Sequence, residues 1–329
     1  MCKMKGWSME PKAYNELWMH REMLRDQIRC NAYKEAILKT VRPGHAVLDV
    51  GTGSGILAMF SALAGARKVY AVERTAVTEV TRELIDANGM GDRIEIIQSD
   101  IEAAQLPEKV DVITAEWMGG FGVDENLFHP VLQARDRWLK PGGCMIPGAV
   151  TALLAPAHDE SVDQSLAFWR STPYGLNLGP IAARTANEVH NAMHHVTGNL
   201  LLAEPQQLWH SDANRDTLES AAGPWIADQV FTANRPGTIS AVTAWFESEL
   251  VPGVRLTNAP DAPKTHWGRT VMPLNQPLKV VVGTKVQVRF ACHNNGRNLC
   301  HNAWSIKVGD QPWQHHAGRQ GCTASPGFH

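Results

Sequence analysis

Short apolar segments alternate with helix-like segments between residues 41 and 147, and this alternation limits the folds open to the chain. Four segments have the length and β-branched content of buried strands, and they span 47–50, 69–72, 94–97 and 110–113. Helical composition lies between them, at 56–64 and 76–87. Strands and helices that alternate at this spacing form right-handed βαβ units, so the chain is predicted to contain a doubly wound parallel sheet.

Different patterns flank this alternation. Before it, apolar residues at helical spacing between residues 8 and 40 predict one or two amphipathic helices. After Gly143 the pattern changes to β-rich runs separated by turn residues, which span 239–250, 266–274, 278–292 and 303–308. These runs predict a separate, mostly β domain. A stretch of helical pattern at about 166–202 predicts an excursion from it.

Composition excludes several classes of protein. Of 329 residues, 44% are hydrophobic and 19% are charged, so a substantial core can form and wholesale disorder is excluded. The 31 basic and 33 acidic residues give a net charge of -2, which disfavours a protein that holds nucleic acid electrostatically. No apolar run approaches the roughly 18 residues of a membrane span. Six scattered cysteines and no signal sequence predict reduced thiols in a cytoplasmic protein.

A glycine-rich turn follows the first predicted strand, in the sequence VLDVGTGSG at residues 47–55. Glycines let a ligand approach the bare main chain, whose amides face it together with the N-terminus of the next helix. Glu73 ends the next strand and could accept both hydroxyls of a ribose. Residues 53–58 also fit the dinucleotide pattern G-x-G-x-x-A. The turn alone therefore leaves S-adenosylmethionine and NAD both open as cofactors.

A second loop follows the fourth predicted strand and reads TAEWMGGFGVDE at residues 114–125. In an open α/β sheet, the ligand crevice lies at the carboxyl ends of the strands. Glu116 and Glu125 lie in this loop, nine residues apart, and could converge on one target. Here the chain resembles the protein arginine N-methyltransferase family, whose "double-E" loop reads EWMG, five residues and then E.

Further motifs carry the same resemblance from about Tyr14 to about Val308. The segment 20–29 matches the family pattern H-x-x-M-L-x-D-x-x-R, and THW at 265–267 matches the family's THW loop. ARDRWL at 134–139, together with PGG at 141–143, matches the helix after the double-E loop. Separated motifs in the right order are more specific than one glycine turn, and they disfavour an NAD-linked dehydrogenase.

The resemblance implies S-adenosylmethionine as the cofactor, with S-adenosylhomocysteine as its product. The positions that match the family's cofactor contacts are Met23, Arg29, Asp49, Gly51, Thr52, Gly53, Gly55, Glu73, Ile101 and Glu102. Among them, Arg29 would pair with the cofactor's carboxylate and Glu73 would accept the ribose hydroxyls. Ile101 and Glu102 would lie beside adenine.

The resemblance also implies the acceptor site. Glu116 and Glu125 match the pair that holds the target guanidinium, while Asp26 and His266 match a pair that bridges two domains at the site. These four are the predicted catalytic residues, and no metal is expected. The predicted substrate contacts are Tyr14, Glu116, Glu125, His266 and Trp267.

Three departures from the family concern the acceptor. Gly120 stands where the family usually has a bulky residue, Asp124 where it has an aromatic one, and Glu10-Pro11 replaces paired aromatics upstream. These differences predict less bulk near the acceptor pocket and a shorter N-terminal lid. They leave two acceptors open, an arginine in a protein or free L-arginine, the latter in a bacterial-type member of the family.

Two groups of possible metal ligands have simpler interpretations. His190, His194 and His195 have helical spacing, which predicts a solvated or interface helix rather than a metal site. Cys292-His293 and Cys300-His301 fit no common zinc-finger spacing, and the segment between them predicts a β-hairpin.

The sequence thus predicts an α/β protein with N-terminal helices, a Rossmann-like S-adenosylmethionine domain and a β-barrel domain with a helical dimerisation arm. The expected boundaries are a lid at 1–40, a cofactor domain at 41–147 and a barrel at 148–329, with the arm at about 166–202. The resemblance implies a homodimeric arginine N-methyltransferase. The alternative is a catalytically silent, cofactor-binding partner of a related enzyme, against which the retention of Glu116, Glu125 and His266 argues.

Overall fold

The computed structural model describes residues 16–192, 200–294 and 300–319. The chain groups into two compact units. Of the described residues, the first unit contains those up to Glu116, Pro130–Gly148 and Leu250–Val254. The second contains Trp117–His129 and the described residues of Ala149–Glu249 and from Arg255 onward. Tyr14, His194 and His195 lie outside the described residues.

A five-stranded parallel sheet forms the centre of the first unit. In chain order the elements are α1 (Leu17–Arg25), α2 (Gln27–Thr40), β1 (Ala46–Val50), α3 (Ile56–Leu63), β2 (Lys68–Glu73), α4 (Thr78–Ala87), β3 (Ile94–Gln98), β4 (Val110–Ala115), α5 (Phe128–Trp138) and β5 (Leu139–Ile146). The strand order is β3-β2-β1-β4-β5. The predicted doubly wound parallel sheet is confirmed, and its order reverses between β1 and β4, where such sheets bind ligands.

Two helices precede the sheet, as the apolar spacing of residues 8–40 allows. Asp26 separates α1 from α2, and its side chain caps α2 by accepting a hydrogen bond from the Arg29 amide at 2.9 Å. The longest helix in the described part of the chain is α2, with 14 residues. None of the described helices has the length and apolar character needed to cross a membrane.

Asp49 is a carboxylate inside β1, a strand whose five residues are all buried. It accepts hydrogen bonds from the hydroxyl of Thr52 at 2.5 Å and from that of Thr114 at 2.7 Å, and thereby joins β1 to the turn that follows it and to β4. Burial raises the pKa of Asp49 to about 6, although the hydrogen bonds from Thr52 and Thr114 oppose the rise.

The second unit is mostly β, as predicted. In chain order it contains β6 (Ala149–Ala157), α6 (Glu160–Arg170), a 3-10 turn at Pro173–Gly175, α7 (Gly179–Thr185), β7 (His190–Ala192), β8 (Gln206–Asp212), α8 (Leu218–Ala221), β9 (Trp225–Thr232), β10 (Gly237–Val251), β11 (Val254–Thr257), β12 (Arg269–Val280), β13 (Lys285–Asn294), β14 (Cys300–Val308) and β15 (Gln314–Arg319). One antiparallel sheet has the order β7-β12-β10-β6-β8, with β11 on β10, and the other has the order β15-β14-β13-β9. The predicted hairpin around residues 292–301 is formed by β13 and β14.

Two local predictions in this unit are wrong. The break predicted between residues 274 and 278 lies inside β12, because Leu278 pairs with Ile239 beyond an irregularity in the ladder with β10. The helix predicted at His190 from its spacing is also wrong, because α7 ends at Thr185 and His190 pairs with Val271 as part of β7. The helical excursion itself begins earlier than predicted, at Glu160, and Val162 and Leu166 bury its inner face.

We predict that Asp49→Asn flattens the pH dependence of stability between pH 4 and pH 6.5. Because the folded-state pKa of Asp49, about 6, lies above its ordinary value of 3.8, its stabilising contribution is present at low pH and is lost as the pH rises through 6. The wild type should therefore lose roughly 2 kcal/mol of unfolding free energy relative to Asp49→Asn across this range. Urea unfolding at several pH values measures it, and a constant difference between the two proteins would contradict the prediction.

Candidate active site

The glycine turn after β1 leaves part of the main chain bare. Gly51, Gly53 and Gly55 have φ values of 68°, 51° and 80°, a region that side chains disfavour. The amides of Gly51 and Thr52 donate to the Val72 carbonyl at 2.9 and 3.0 Å, which ties the turn to β2. A Cβ added to Gly51 would meet no described atom within 4 Å. The turn therefore presents open backbone to a ligand.

Glu73 ends β2 and supports the same turn. Its Oε2 accepts from the Gly53 amide at 3.1 Å and its Oε1 accepts from the Thr75 amide at 2.8 Å. The residue is 8% exposed. An ionised carboxylate has about four acceptor positions, so Glu73 keeps capacity for the hydroxyls of a ribose.

Arg29 and Glu116 form a buried ion pair in the first unit. Nη2 of Arg29, on α2, lies 3.3 Å from Oε2 of Glu116, which directly follows β4, and the two side chains are 7% and 13% exposed. Burial disfavours the charged guanidinium, but the negative charge of Glu116, with smaller contributions from Tyr33 and Cys30, raises the pKa of Arg29 above its ordinary value. Arg29 is therefore a permanent cation beside the sheet.

Tyr33 holds α2 against β4, the strand that ends just before Glu116. Its hydroxyl donates to the Ala115 carbonyl at 3.1 Å. Burial, and then the charge of Glu116, raise the pKa of Tyr33 well above its ordinary value, so the hydroxyl keeps its proton and remains a donor. The sequence reasoning missed this residue, because its role depends on a contact with a strand far along the chain.

The other predicted residues of the first unit differ in their burial. Met23 is half-buried on α1, and its carbonyl accepts a weak hydrogen bond from the Cys30 thiol at 3.4 Å. Asp26 is buried at the start of α2. Ile101 is half-buried and Glu102 is exposed after β3, where the Glu102 carbonyl accepts from Arg137 at 2.7 Å.

The remainder of the double-E loop, residues 117–129, packs within the second unit. The rings of Trp117 and Phe128 lie 4.4 Å apart near the two ends of this segment. Phe121 lies edge-on to Trp209 and Phe290 at 5.7 and 5.6 Å. Between these buried aromatics, Glu125 is half-buried. The apolar residues thus fix the loop, and Glu125 is left partly accessible.

The THW segment contacts this loop from within the same unit. Nε1 of Trp267 donates to the Met118 carbonyl at 2.7 Å, and the ring lies edge-on to Phe246 at 5.1 Å. His266 is half-buried, with its ring 4.1 Å from that of Trp267. Asn258, which the sequence reasoning missed, donates to the Gly120 carbonyl at 2.8 Å. No local pattern distinguishes Asn258 from a loop asparagine.

Gly120 does not open the space that its small size predicts. A Cβ at this position would collide with Oγ1 of Thr270 and lie 2.7 Å from Oδ1 of Asn191. These two side chains are hydrogen-bonded to each other at 3.1 Å. The expectation of reduced bulk is therefore wrong at Gly120, because Thr270 and Asn191 fill the space beside its Cα.

The first unit has the chemical groups that S-adenosylmethionine requires. Arg29 is a buried cation suited to a carboxylate, and Glu73 is an acceptor suited to a diol. The bare backbone at Gly51 allows close approach. The residues present thus fit this cofactor, and its sulfonium would supply an activated methyl group.

Comparison with known families agrees with this arrangement. A family model described as "Arginine methyltransferase oligomerization subdomain" matches residues 150–309, and one described as "Ribosomal protein L11 methyltransferase (PrmA)" matches residues 33–140. The chain is 34% identical over 307 residues to protein arginine N-methyltransferase 6 of Danio rerio, covering 88% of this chain and 86% of that protein. It is 37% identical over 320 residues to protein arginine N-methyltransferase PRMT10 of Oryza sativa subsp. japonica, covering 87% and 83%.

Solved structures show the same similarity. A chain of the Trypanosoma brucei PRMT1 enzyme–prozyme heterotetrameric complex with AdoHcy aligns with a TM-score of 0.84 and 28% identity, covering 93% of this chain and 99% of that one. Arabidopsis thaliana protein arginine methyltransferase 10 aligns with a TM-score of 0.79 and 28% identity, covering 94% and 98%. The chain belongs to the protein arginine N-methyltransferase family and is an S-adenosylmethionine-dependent methyltransferase.

Proposed function

We propose that this enzyme methylates a guanidino nitrogen of arginine residues in proteins and that Glu116 and Glu125 together hold the guanidinium. The names of the relatives, which are protein arginine N-methyltransferases, support a protein-bound acceptor over free L-arginine. One observation carries the proposal. The side chain of Glu116 is only 13% exposed, and its carboxylate already contacts a guanidinium, that of Arg29, at 3.3 Å.

The chemistry of the acceptor explains why two carboxylates are needed. A guanidinium is planar, stays charged near neutral pH and has five N–H donors, so it is a poor nucleophile. Two carboxylates can accept its N–H bonds in pairs and fix its orientation toward the methyl carbon. They also draw positive charge toward the nitrogens that they bind, which leaves the remaining nitrogen closer to a neutral amine.

The proton on the attacking nitrogen can leave after the methyl group has been transferred, so a strong base is unnecessary. Glu125 is one candidate acceptor, and the pair of Asp26 and His266 is the other. His266 is half-buried beside Trp267, where a ring nitrogen can exchange protons with water. Trp267 contributes to the acceptor site by holding the loop at Met118. Tyr14, outside the described residues, is proposed as a further acceptor contact.

The cofactor contacts remain those that the family resemblance implies. Arg29 would bind the carboxylate of the cofactor's amino acid portion, beside Met23, and Glu73 would bind the ribose. The hydrogen bond from the Thr52 hydroxyl to Asp49 would stabilise the glycine turn that contains Gly51, Gly53 and Gly55. Ile101 and Glu102 would lie beside the adenine.

The predicted division of the chain also stands as a proposal: a lid at 1–40, a cofactor domain at 41–147 and a β domain at 148–329. We place the chain in a homodimer in the cytoplasm. The arm carries exposed apolar side chains, with Phe168 50%, Tyr174 95% and Leu176 60% exposed. The first unit has a matching apolar surface, a cavity of about 300 Å³ lined by residues that include Leu17, Leu24 and Val80. Burying both surfaces between subunits would remove them from water.

The acceptor can be identified by mass spectrometry of parallel reactions. The enzyme would be offered S-adenosylmethionine with either free L-arginine or an Arg-Gly-rich peptide. Methylation of the peptide is expected, at a mass increase of one or two methyl groups per arginine. Methylation of free L-arginine alone would contradict a protein-bound acceptor, and methylation of neither would contradict the proposed activity.

We predict that Glu116→Gln nearly abolishes methyl transfer and leaves cofactor affinity close to that of the wild type. The amide keeps the size of the carboxylate, but one of its polar ends becomes a donor facing a group that only donates. The expected loss is about 3 kcal/mol of transition-state stabilisation, or at least a hundredfold in rate. Glutamine still offers an oxygen to Arg29, so cofactor binding should survive.

The matched control for this variant is Glu95→Gln, at an exposed carboxylate that pairs with Lys68 in the same unit. It should keep full turnover. Glu125→Gln should act like Glu116→Gln, and the double variant should be less than additive, because both residues hold one group. If Glu116→Gln keeps more than about a tenth of wild-type turnover at saturating acceptor, the guanidinium clamp is wrong.

We predict that Gly51→Ala weakens cofactor binding at least tenfold, or about 1.4 kcal/mol. Its added methyl would stand in the open space where the cofactor is proposed to meet the main chain. Gly89→Ala is the control, because Gly89 has a similar φ of 64°, against 68° at Gly51, and also lacks neighbours within 4 Å. Both variants should lose similar stability, but only Gly51→Ala should lose affinity for S-adenosylhomocysteine in calorimetry. Equal affinities would place the cofactor elsewhere.

We predict that the double variant Phe168→Asp/Leu176→Asp is a monomer with weakened cofactor binding. Two charges on the arm's apolar surface could not be buried against a second subunit without a large desolvation cost. Sedimentation at micromolar concentration should show a dimer for the wild type. Val281→Asp/Val282→Asp is the control, since these residues are 66% and 65% exposed outside the arm, and it should remain a dimer. A monomeric wild type would refute the homodimer.

A further inference from the structure

We propose that Asp124 is a positioning residue for methyl transfer, which fixes the backbone that carries Glu125. This proposal rests on the proposed function, because it assumes that Glu125 contacts the acceptor. It concerns a residue at a position where the resembled family usually has an aromatic side chain.

Asp124 and Glu125 are the two central residues of one tight turn. The amide of Asn126 donates to the Val123 carbonyl at 3.1 Å, which closes the turn. Asn126 itself has a φ of 59°, in the left-handed region that asparagine tolerates. Because the two central residues share a peptide unit, any force that orients Asp124 also orients Glu125.

The side chain of Asp124 points into the loop and not toward water. It is 6% exposed, and its Oδ2 accepts from the Gly120 amide at 2.9 Å while its Oδ1 accepts from the Phe121 amide at 3.1 Å. Charge-assisted bonds of this kind are about twice as strong as neutral ones. One carboxylate therefore joins the turn that carries Glu125 to the first half of the double-E loop.

The neighbouring glycines leave space for this carboxylate. Gly119 and Gly122 bond to each other through their main chains, with N···O distances of 3.1 and 3.4 Å. A Cβ at Gly119 would collide with the carboxylate of Asp124. The bend at Gly119 thus has room for the Asp124 carboxylate only because Gly119 has no side chain.

The first half of the double-E loop, to which Asp124 is hydrogen-bonded, is itself held by side chains of the same unit. Asn258 donates to the Gly120 carbonyl at 2.8 Å, and Trp267 donates to the Met118 carbonyl at 2.7 Å. The Cys300 thiol donates weakly to the Val123 carbonyl at 3.9 Å. Asp124 therefore connects the turn of Glu125 to this hydrogen-bonded frame, and the connection orients the backbone from which the Glu125 side chain extends.

An aromatic side chain could not accept hydrogen bonds from both amides, because it has no carboxylate. Asp124→Asn tests the point with a side chain of the same size. Its oxygen can still accept one N–H, but its NH₂ group would face the other, so the turn should reorient. We expect kcat to fall by roughly ten- to hundredfold and the KM for the peptide to rise, because a misplaced carboxylate no longer aligns the acceptor with the methyl group. Cofactor affinity should not change.

The control is Asp212→Asn in the same unit. Asp212 also caps a local turn, accepting from the Asn214 amide at 2.9 Å. Asp212→Asn should lower the unfolding temperature by about as much as Asp124→Asn does, and it should leave kcat unchanged. Rates are compared per folded molecule, counted by the stoichiometry of S-adenosylhomocysteine binding. If Asp124 served stability alone, kcat per folded molecule would be wild type, and the proposal would be wrong.

A double-mutant cycle then tests whether Asp124 acts through Glu125. The affinity for an arginine peptide is measured by calorimetry in the presence of S-adenosylhomocysteine, in wild-type and Glu125→Gln backgrounds. If Asp124 acts by placing Glu125, Asp124→Asn should change the affinity less than about twofold in the Glu125→Gln background, because the group that it positions is already disabled. Fully additive losses would overturn the proposal.

Failure of this inference is distinguishable from failure of the proposed function. If Glu116→Gln and Glu125→Gln both keep full turnover, the guanidinium clamp is wrong and Asp124 has nothing to position. If both lose turnover while Asp124→Asn keeps it, only the role of Asp124 is wrong. Should Asp124→Asn not fold, Gly119→Ala displaces the same carboxylate with Asp124 intact, and wild-type kcat in that variant would equally overturn the proposal.

Discussion

An ion pair between a buried guanidinium, that of Arg29, and a half-buried carboxylate, that of Glu116, lies in the first unit and constrains how its elements pack. A buried charge without a partner costs several kcal/mol, so Arg29 and Glu116 must be brought together from α2 and from the end of β4. The capping of α2 by Asp26 and the hydrogen bond from Tyr33 to Ala115 fix the two elements at the distance that this ion pair needs. Glu116, the proposed catalytic glutamate, is thus placed by the same contacts that stabilise the fold.

This placement has a consequence for the reaction. A sulfonium and a guanidinium are both cations, and bringing them within reacting distance in a low-dielectric site is unfavourable unless negative charge lies nearby. In the proposed site, Glu116, Glu73 and Glu125 would supply that charge. Arg29 would balance part of it and would also attract the cofactor's carboxylate.

Much of the fold could be predicted because it depends on local patterns. The short apolar runs of β1 to β4 predict strands, and the motifs at 20–29 and 265–267 carry the resemblance to a known family. The errors have a different cause. The pairing of Leu278 with Ile239 and of His190 with Val271 depends on residues distant in sequence, so neither the continuity of β12 nor the identity of β7 could be read locally. The contacts of Tyr33 and Asn258 escaped prediction for the same reason.

The departures at Gly120 and Asp124 illustrate how a family site can be kept with different supports. An aromatic side chain fixes a loop by burying area, whereas Asp124 fixes it by accepting two amide hydrogen bonds. The loss of a bulky residue at position 120 is offset by Thr270 and Asn191, which occupy the adjacent space. A hydrogen-bonded support is directional and a packed one is not, so the orientation of the loop can be kept while its apolar bulk is reduced. The two substitutions are therefore compatible with an unchanged pair of glutamates, because the glutamates depend on the direction of the backbone and not on how that direction is enforced.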